Sequence, residues 1–452
     1  MLDRKIKPSP TGDIIFSLPK IEKFELSNGL KVLFVKKNNL PIVQFNLLID
    51  AGSSKDSKEN SGLANLTAMC IDEGAGEYNA LELDNEIESI GSILGISANQ
   101  DSTFITMLSL TEKFERSVEL FSDILIRPHF NEEDFERQQH KALTHLLQMN
   151  DQPSYIATSI HEQIIFKDSI YELPIYGNDE SIKNIENKNV LEFYKKYYSV
   201  SNSHLIVVGD VELEYLKIIL EKHLHQWQNS SSNFNSELNI QDSEAQIYFI
   251  EKEEAAQSEI RIGHLCGNKN AEDFYSNSIM NSLLGGQFSS RINLNLREDK
   301  GFTYGAQSAF HYNSVNGYFA VSTAVESKNT GEALSEIFKE LKLVKNTITK
   351  EEVEFSKSNL VKRYPSMFET YSQIARNLTS QIIYNLSENY FDTYIEKIED
   401  TTFDEIVYSA NNKIKLDNLI TLVVGNKSVK AQLKEFSDST IIDLDIYGNL
   451  LA

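Results

Sequence analysis

The chain has 452 residues, too many for one hydrophobic core, so its length predicts more than one domain. Hydrophobic residues make up 41% and charged residues 24% of it, a globular composition that excludes a disordered, collagen-like or coiled-coil chain. A net charge of −23 argues against nucleic acid as a partner, because nucleic-acid binding depends on neutralising phosphates. The charge permits basic or unfolded peptides as partners, although an acidic surface that aids solubility is the simpler interpretation.

Predicted strands and helices follow one another in both halves of the chain. Strands are predicted at residues 31–35, 42–49, 104–110 and 318–323, and helices at 62–72, 80–90 and 113–126. The dipeptide Asn28-Gly29 marks a tight turn before the first strand. Strands with helices packed on one face predict an α+β fold, in which helices lie on a mixed sheet rich in antiparallel pairs.

Sequence features also bear on location. The first ten residues are charged and contain two prolines, so we expect no signal peptide. Cys70 and Cys266 are the only cysteines, which provides no disulfide framework and indicates a reducing compartment. The apolar runs are strand-length, far below the ~20 residues of a membrane helix. These features predict a soluble cytoplasmic protein without a membrane span.

The chain repeats itself at one nearly constant offset. Three pairs of segments match: 34–37 (FVKK) with 249–252 (FIEK), 131–136 (NEEDFE) with 349–354 (TKEEVE), and 207–210 (VVGD) with 423–426 (VVGN). Their offsets of 215, 218 and 216 residues indicate duplication of a whole domain. We therefore predict two tandem homologous lobes, residues 1–228 and 245–452, joined by a polar linker at 229–244.

The segments of the first lobe resemble the zinc metallopeptidases of the pitrilysin, or inverzincin, type. The resemblance lies in residues 24–32 (FELSNGLKV), 51–53 (AGS) and 61–64 (SGLA), and it extends from about residue 24 to residue 425. In that order, the three segments look like the family's opening strand, the end of its next strand and the start of its motif helix. The chain is similar to non-catalytic subunits, such as the alpha subunit of mitochondrial processing peptidase and bacterial two-subunit relatives.

The motif that should bind zinc is degenerate. In the family this helix carries His-x-x-Glu-His, whose imidazoles bind zinc and whose Glu activates the zinc-bound water. Here Asn65 and Met69 occupy the two ligand positions and Ala68 occupies the position of the base. The resemblance places the third ligand six residues before an Asp-x-Pro turn, at His145 before Asp151. Amide and thioether groups are poor zinc ligands, so we expect no metal or other cofactor on this chain. His145 is then expected to lie on a helix face or in the core.

The second lobe keeps more of the family pattern. Residues 283–291 (LLGGQFSSR) resemble the family's glycine-containing loop, with Gly285 and Gly286 as candidate substrate-binding positions. Arg297 and Tyr304 match an Arg and a Tyr that the family also places seven residues apart. A Tyr hydroxyl can donate to the oxyanion of a scissile carbonyl, and a guanidinium can hold a backbone carbonyl. The alternatives are a surface role for Arg297 and a packing role for Tyr304, and Arg291 is the weaker candidate for the arginine.

Residues 98–101 fall where the family has an edge strand that pairs with peptide substrate, which makes Ala98 and Asn99 further candidates. In two-subunit relatives, one subunit holds zinc and the other supplies the Arg/Tyr pair. The resemblance thus implies a non-catalytic subunit that gives Arg297 and Tyr304 to a homologous zinc-bearing partner, which cleaves peptides in an enclosed chamber. The alternative is a non-enzymatic scaffold, as in the core subunits of respiratory complexes, which resemble the same family.

Overall fold

The computed structural model describes residues 17–230 and 242–451. Within these ranges the chain forms two mixed sheets of six strands with helices packed on them. The predicted α+β architecture of two homologous lobes is therefore confirmed. The predicted linker at 229–244 falls largely on residues 231–241, which lie outside the described residues. The bounds of the two lobes and of the linker remain predictions.

The first sheet has the strand order β1-β2-β6-β3-β5-β4. Its strands are β1 (Glu22–Glu25), β2 (Lys31–Lys36), β3 (Ile42–Ile49), β4 (Ile93–Ala98), β5 (Thr103–Leu110) and β6 (Ser203–Gly209). Only β2 and β6 pair in parallel; the other neighbours are antiparallel. Strand β4, which is partly exposed along its length, forms the edge.

The second sheet repeats five of these six positions, in the order β12-β7-β11-β8-β10-β9. Its strands are β7 (Gln246–Glu251), β8 (Gln257–Cys266), β9 (Ala306–Tyr312), β10 (Gly317–Glu326), β11 (Ile420–Gly425) and β12 (Ile441–Leu444). The parallel pair Phe34/Val207 in the first sheet corresponds to Phe249/Val423 in the second. The sixth strand differs, because β12 comes from the C-terminal end and pairs in parallel where β1 is antiparallel.

Eight helices belong to the first half of the described chain and eight to the second. The first eight are α1 (Leu63–Cys70), α2 (Ala80–Ser89), α3 (Phe114–Ile126), α4 (Glu132–Asn150), α5 (Pro153–Ile165), α6 (Asp179–Asn184), α7 (Asn187–Tyr197) and α8 (Leu213–Leu224). The others are α9 (Phe274–Asn281), α10 (Arg291–Asn293), α11 (Thr330–Thr347), α12 (Lys350–Arg363), α13 (Tyr371–Ile383), α14 (Tyr390–Asp400), α15 (Phe403–Lys413) and α16 (Val429–Phe436). No helix in these ranges is both long and apolar enough to cross a membrane.

Each sheet is covered on one face by helices of its own lobe and on the other by a helix of the opposite lobe. Helix α5 of the first lobe packs on β8 and β11, where Ile156 and Ile160 contact the apolar side chains of the second sheet. Helix α13 of the second lobe packs on β3 and β6, through residues that include Ile374 and Leu378. Because both faces are buried, the central strands are almost continuously apolar.

Candidate functional site

Helix α1 carries the degenerate motif, and a buried acidic cap fixes its start. Gly62 has a φ of 93°, a left-handed conformation that favours glycine. The Asp56 carboxylate accepts hydrogen bonds from the backbone N–H of Gly62 at 2.9 Å and of Ala64 at 3.0 Å. Burial nevertheless raises the pKa of Asp56 to about 8. No short-range capping pattern marks this aspartate, and the sequence prediction missed it.

The two former ligand positions face each other on α1, as their spacing predicts. The Asn65 side-chain amide lies 3.5 Å from the Met69 sulfur, and both residues are half-buried. Ala68 is buried, with 3% of its surface exposed. Zinc prefers imidazole, thiolate and carboxylate ligands, so an amide and a thioether do not fit it. Within residues 17–230 and 242–451, no group of three His, Cys, Asp or Glu side chains could hold a metal ion.

His145 lies exposed on α4 rather than in the core. Its ring meets the Tyr176 ring edge to face, with centroids 5.4 Å apart. Helices α1 and α4 pack together, yet no hydrogen bond in the described part of the chain joins His145 to Asn65 or Met69. The helix-face alternative is the one that the structure favours for this histidine.

The second lobe contains an open cleft of about 590 Å³ at the positions predicted from its motifs. Gly285, Gly286 and Arg297 all line it. Gly285 is a buried residue of a π-helical segment, Ser282–Gly286, that continues α9. A Cβ at Gly285 would lie 2.3 Å from the Ser308 hydroxyl and 2.5 Å from its backbone nitrogen, so only glycine allows this segment to approach β9.

Arg297 lies on a second π-helical segment, Leu294–Asp299, which follows α10. Its guanidinium stacks over the Phe288 ring at 4.6 Å, and its Nε is 3.3 Å from a Glu298 carboxylate oxygen. The neighbouring Tyr304 side chain is 91% exposed and is not among the residues that line the cleft. Arg291, the weaker candidate, is bound to Glu352 on α12 by two hydrogen bonds of 2.7 Å. That ion pair gives Arg291 a structural role.

Arg363 and Phe288 are among the cleft residues that the sequence analysis did not name as candidates. Arg363, the last residue of α12, lines the cleft although it is 66 positions from Arg297 in the sequence. Phe288 lines it too and is 63% exposed. An exposed aromatic residue beside the glycine pair is a local signal that could have identified Phe288. Arg363 had no local signal, because its position depends on how α12 packs.

The edge strand of the first sheet is β4, Ile93–Ala98, so of the predicted residues 98–101 only Ala98 belongs to it. Asn99 is in the turn that follows, where its side chain accepts hydrogen bonds from the backbone N–H of Asp101 and Ser102. Its backbone carbonyl accepts from Ser53 N–H at 2.9 Å. The turn is thereby fastened to residues 52–54, which leaves the role of Ala98 and Asn99 in substrate binding a prediction.

Comparison with known sequences decides the family. A sequence model described as "Insulinase (Peptidase family M16)" matches residues 31–179, and one described as "Peptidase M16 inactive domain" matches residues 184–360. The chain belongs to the pitrilysin-type peptidase family, M16. The resemblance predicted from residues 24–425 is confirmed.

Relatives within M16 carry names of both active and inactive proteins. A "Non-peptidase homolog YmxG" of Helicobacter pylori is 21% identical over 88% of this chain and 92% of its own length. An "Uncharacterized zinc protease" of Rickettsia bellii is 24% identical over 74% of this chain and 81% of its own. The beta subunit of mitochondrial processing peptidase from Mus musculus is 22% identical over 46% of this chain and 42% of its own.

A solved structure shares the fold. The crystal structure of a peptidase M16 inactive domain from Pseudomonas fluorescens superposes with a TM-score of 0.84 at 23% identity, covering 90% of this chain and 98% of the other. At that identity the likeness supports the fold alone. This chain is therefore an M16-like protein whose residues at the zinc motif do not fit zinc.

Proposed function

We propose that this chain is the non-catalytic subunit of a heterodimeric M16 peptidase, in which Arg297 and Tyr304 complete the active site of a homologous zinc-bearing partner. One observation carries the proposal: Arg297 faces an open cleft, whereas the positions of the zinc ligands and base hold Asn65, Met69 and Ala68. On this proposal the zinc-binding half of a peptidase site is lost, and the half that contains Arg297 and Tyr304 is still accessible.

The two subunits would supply different chemical groups to one reaction. A peptide bond of the substrate would lie in the cleft, with a backbone carbonyl bound by the Arg297 guanidinium. The exposed Tyr304 hydroxyl would donate a hydrogen bond to the oxyanion that forms on the scissile carbonyl. The partner would supply the zinc and the base. A relative named as a subunit of mitochondrial processing peptidase supports a two-subunit assembly.

The experiment requires both subunits. The chain is co-expressed with a homologous subunit that has an intact His-x-x-Glu-His, and peptide cleavage is measured on the purified complex. Tyr304→Phe should lower kcat by about 10²- to 10³-fold, the typical effect of removing one oxyanion donor. Arg297→Ala should also raise KM. Tyr408→Phe, which alters a tyrosine that is 62% exposed and outside the cleft, is the matched control.

A scaffold function is the second candidate, and it is favoured by the position of Tyr304 outside the cleft lining. Full activity of both the Tyr304 and Arg297 variants, with assembly and zinc content unchanged, would leave the scaffold as the better proposal. A cytoplasmic location and peptide rather than nucleic acid as ligand are part of the proposal and rest on the sequence features above.

A further inference from the structure

The second-lobe cleft, as defined by the residues that line it around Gly285 and Arg297, has a charge opposite to that of the whole protein. The chain carries a net charge of −23, yet three arginines and a single carboxylate line this cleft. The carboxylate, Glu259, is 2.9 Å from the Nη1 atom of Arg261. Glu259 and Arg261 neutralise each other. Glu298, which pairs with Arg297, does not line the cleft, so the guanidinium groups of Arg297 and Arg363 are the remaining charged groups of the lining.

Arg261 is held in place by its neighbours. Its Nε donates to the Thr158 hydroxyl at 3.1 Å, and its Nη2 donates to the Ser154 carbonyl at 3.3 Å. It is 8% exposed. Its donors are therefore already used in joining α5 to β8, and a ligand has little access to them.

Arg363 is exposed and, in the described part of the chain, has no carboxylate within ion-pair distance. A cation at the C-terminus of α12 is favourable because of the helix dipole, which accounts for a charge at this position. It does not account for the same residue lining the cleft together with Arg297. The hydrogen-bond donors of the Arg363 guanidinium are available to a ligand.

Arg297 is oriented by two neighbours. Its guanidinium lies over the Phe288 ring at 4.6 Å, and its Nε pairs at 3.3 Å with Glu298, which does not line the cleft. A stacked guanidinium keeps its planar fork of N–H donors, which matches the two oxygens of a carboxylate. Arg363 lines the same cleft as Arg297, so the cleft offers one guanidinium for a backbone carbonyl of the ligand and a second for an anion that is attached to that ligand.

We propose that the second-lobe cleft selects peptides by a carboxylate that Arg363 binds, in the same cleft where Arg297 holds a backbone carbonyl of the peptide. This inference rests on the proposed function, in that the ligand is a peptide. It adds a specificity-determining residue, Arg363, which the motifs did not indicate. The carboxylate has two possible sources, an acidic side chain or the C-terminus of the peptide.

The test measures binding to the purified chain without a partner. Three dye-labelled decapeptides of otherwise identical sequence are compared by fluorescence anisotropy: internal Glu with an amidated end, internal Gln with a free carboxyl end, and internal Gln with an amidated end. Hydrogen bonds to charged groups make a difference of about tenfold in affinity or more. We expect at least one carboxylate-bearing peptide to bind about tenfold more tightly than the neutral one.

The overall charge makes this outcome diagnostic. Long-range repulsion from a chain of net charge −23 would disfavour the acidic peptides, the reverse of the expected order. Arg363→Gln should reduce the preference to about twofold or less, and Arg363→Lys should restore part of it, since the charge returns without the fork. Arg376→Gln removes the same charge from an exposed position outside the cleft and should keep the full preference.

Several outcomes would overturn the inference: no binding of any peptide, equal binding of all three, tighter binding of the neutral peptide, or an unchanged preference in Arg363→Gln. The circular dichroism spectrum of each variant confirms that it is folded. Because no partner is present, failure here is distinguishable from failure of the proposed function. If the peptides showed no carboxylate preference, the proposed dependence of the complex's activity on Arg297 and Tyr304 would still stand.

Discussion

The motif helix of the first lobe and the cleft of the second lobe lie at related places in a duplicated fold, and they have changed in opposite ways. On α1 the polar chemistry has been replaced by groups that pack: Ala68 is buried and Met69 contacts the hydrophobic core. In the second lobe α9 and α10 instead continue as π-helical segments, and Gly285, Gly286 and Arg297 of those segments line an open cleft. The first site is packed, and the second is accessible.

The comparison also shows that sequence duplication does not preserve local contacts. Gly52 and Gly267 occupy equivalent positions 215 residues apart. A Cβ at Gly52 would lie 2.4 Å from backbone atoms of Gln100 and Asp101, whereas at Gly267 nothing lies within 4 Å. The turn after β4 is bound to the end of β3, and no such contact crowds Gly267 in the second lobe. The two sheets share five of their six strand positions, yet the space around the ends of equivalent strands differs.

The largest effect is expected where the lobes depend on each other. Ile374 on α13 is 2% exposed and packs on the first sheet. Ile374→Ala should lower the free energy of unfolding by about 2–5 kcal/mol, the range for buried Ile→Ala changes. Ile218→Ala, at a position 64% exposed, should change it by no more than about 0.5 kcal/mol. Denaturant titration measures both. Equal effects would mean that α13 does not stabilise the first lobe.

A smaller effect should separate the two equivalent glycines. Gly52→Ala forces backbone atoms apart and should destabilise the chain by about 1–3 kcal/mol, as overpacking does. Gly267→Ala meets open space and should be neutral or slightly stabilising, because it restricts the unfolded chain. Thermal unfolding of the two variants side by side tests the contrast. If both variants lost the same stability, the crowding around Gly52 would not be specific to the first lobe.

Acid should weaken the packing of α5 against the second sheet. His161 is 1% exposed, and its Nε2 lies 3.1 Å from the Ile420 carbonyl oxygen, to which it donates. Burial lowers the pKa of His161 to about 3, from an ordinary value of 6.5. Between these values the unfolded state binds a proton that the folded state does not. The stability that the neutral, buried His161 contributes is therefore fully present above pH 6.5 and is lost as pH falls toward 3.

The measurement is the slope of unfolding free energy against pH from 6.5 to 4.5. His161→Gln should make the slope shallower by up to about 1.4 kcal/mol per pH unit, the value for one proton. His145→Gln, at an exposed position, should leave it unchanged. His264, whose pKa burial lowers to about 4, keeps a residual slope in both variants. If the slope in His161→Gln equalled that of the parent chain, the pH dependence of stability could not be assigned to His161.

Four strands and three helices were predicted from the sequence, because strands with buried faces and helices of regular apolar spacing leave strong patterns. The repeated VVGD and VVGN segments, which indicated the duplication, lie at the ends of the equivalent strands β6 and β11. The exchange of α5 and α13 between lobes was not predictable. An amphipathic helix shows that it has a buried face, but the sequence does not show which sheet covers that face.

In the candidate site too, the residues that local motifs define were predicted, and the residues that tertiary packing places were not. Asn65, Ala68 and Met69 were identified because a fixed helical motif sets their register, and the Asn65–Met69 contact agrees with it. Arg297, Gly285 and Gly286 were identified by local segments that stay together in the cleft. Arg363 and Asp56 were missed because their roles arise from tertiary packing. The prediction for Tyr304 as a donor is still open, since its ring points to solvent.

The smallest expected effect concerns zinc itself. Dialysed chain should contain well under one equivalent of zinc by metal analysis, and added zinc should leave its unfolding temperature unchanged, because a ligand stabilises only the state that it binds. A full equivalent that disappeared in His145→Ala would show that the site still binds zinc.

The informative comparison is a variant that restores the motif, Asn65→His, Ala68→Glu and Met69→His together with His145→Glu. The side chains at 65 and 69 already touch on one face of α1, and α4 packs beside it, so imidazoles and a carboxylate placed there should bind about one equivalent of zinc. The expected stabilisation by zinc would appear in this variant only. If it too bound no zinc, the loss in the first lobe would extend beyond the ligands to the relative position of α1 and α4. The difference between the motif helix of the first lobe and the open cleft of the second would then involve the backbone of both lobes as well as their side chains.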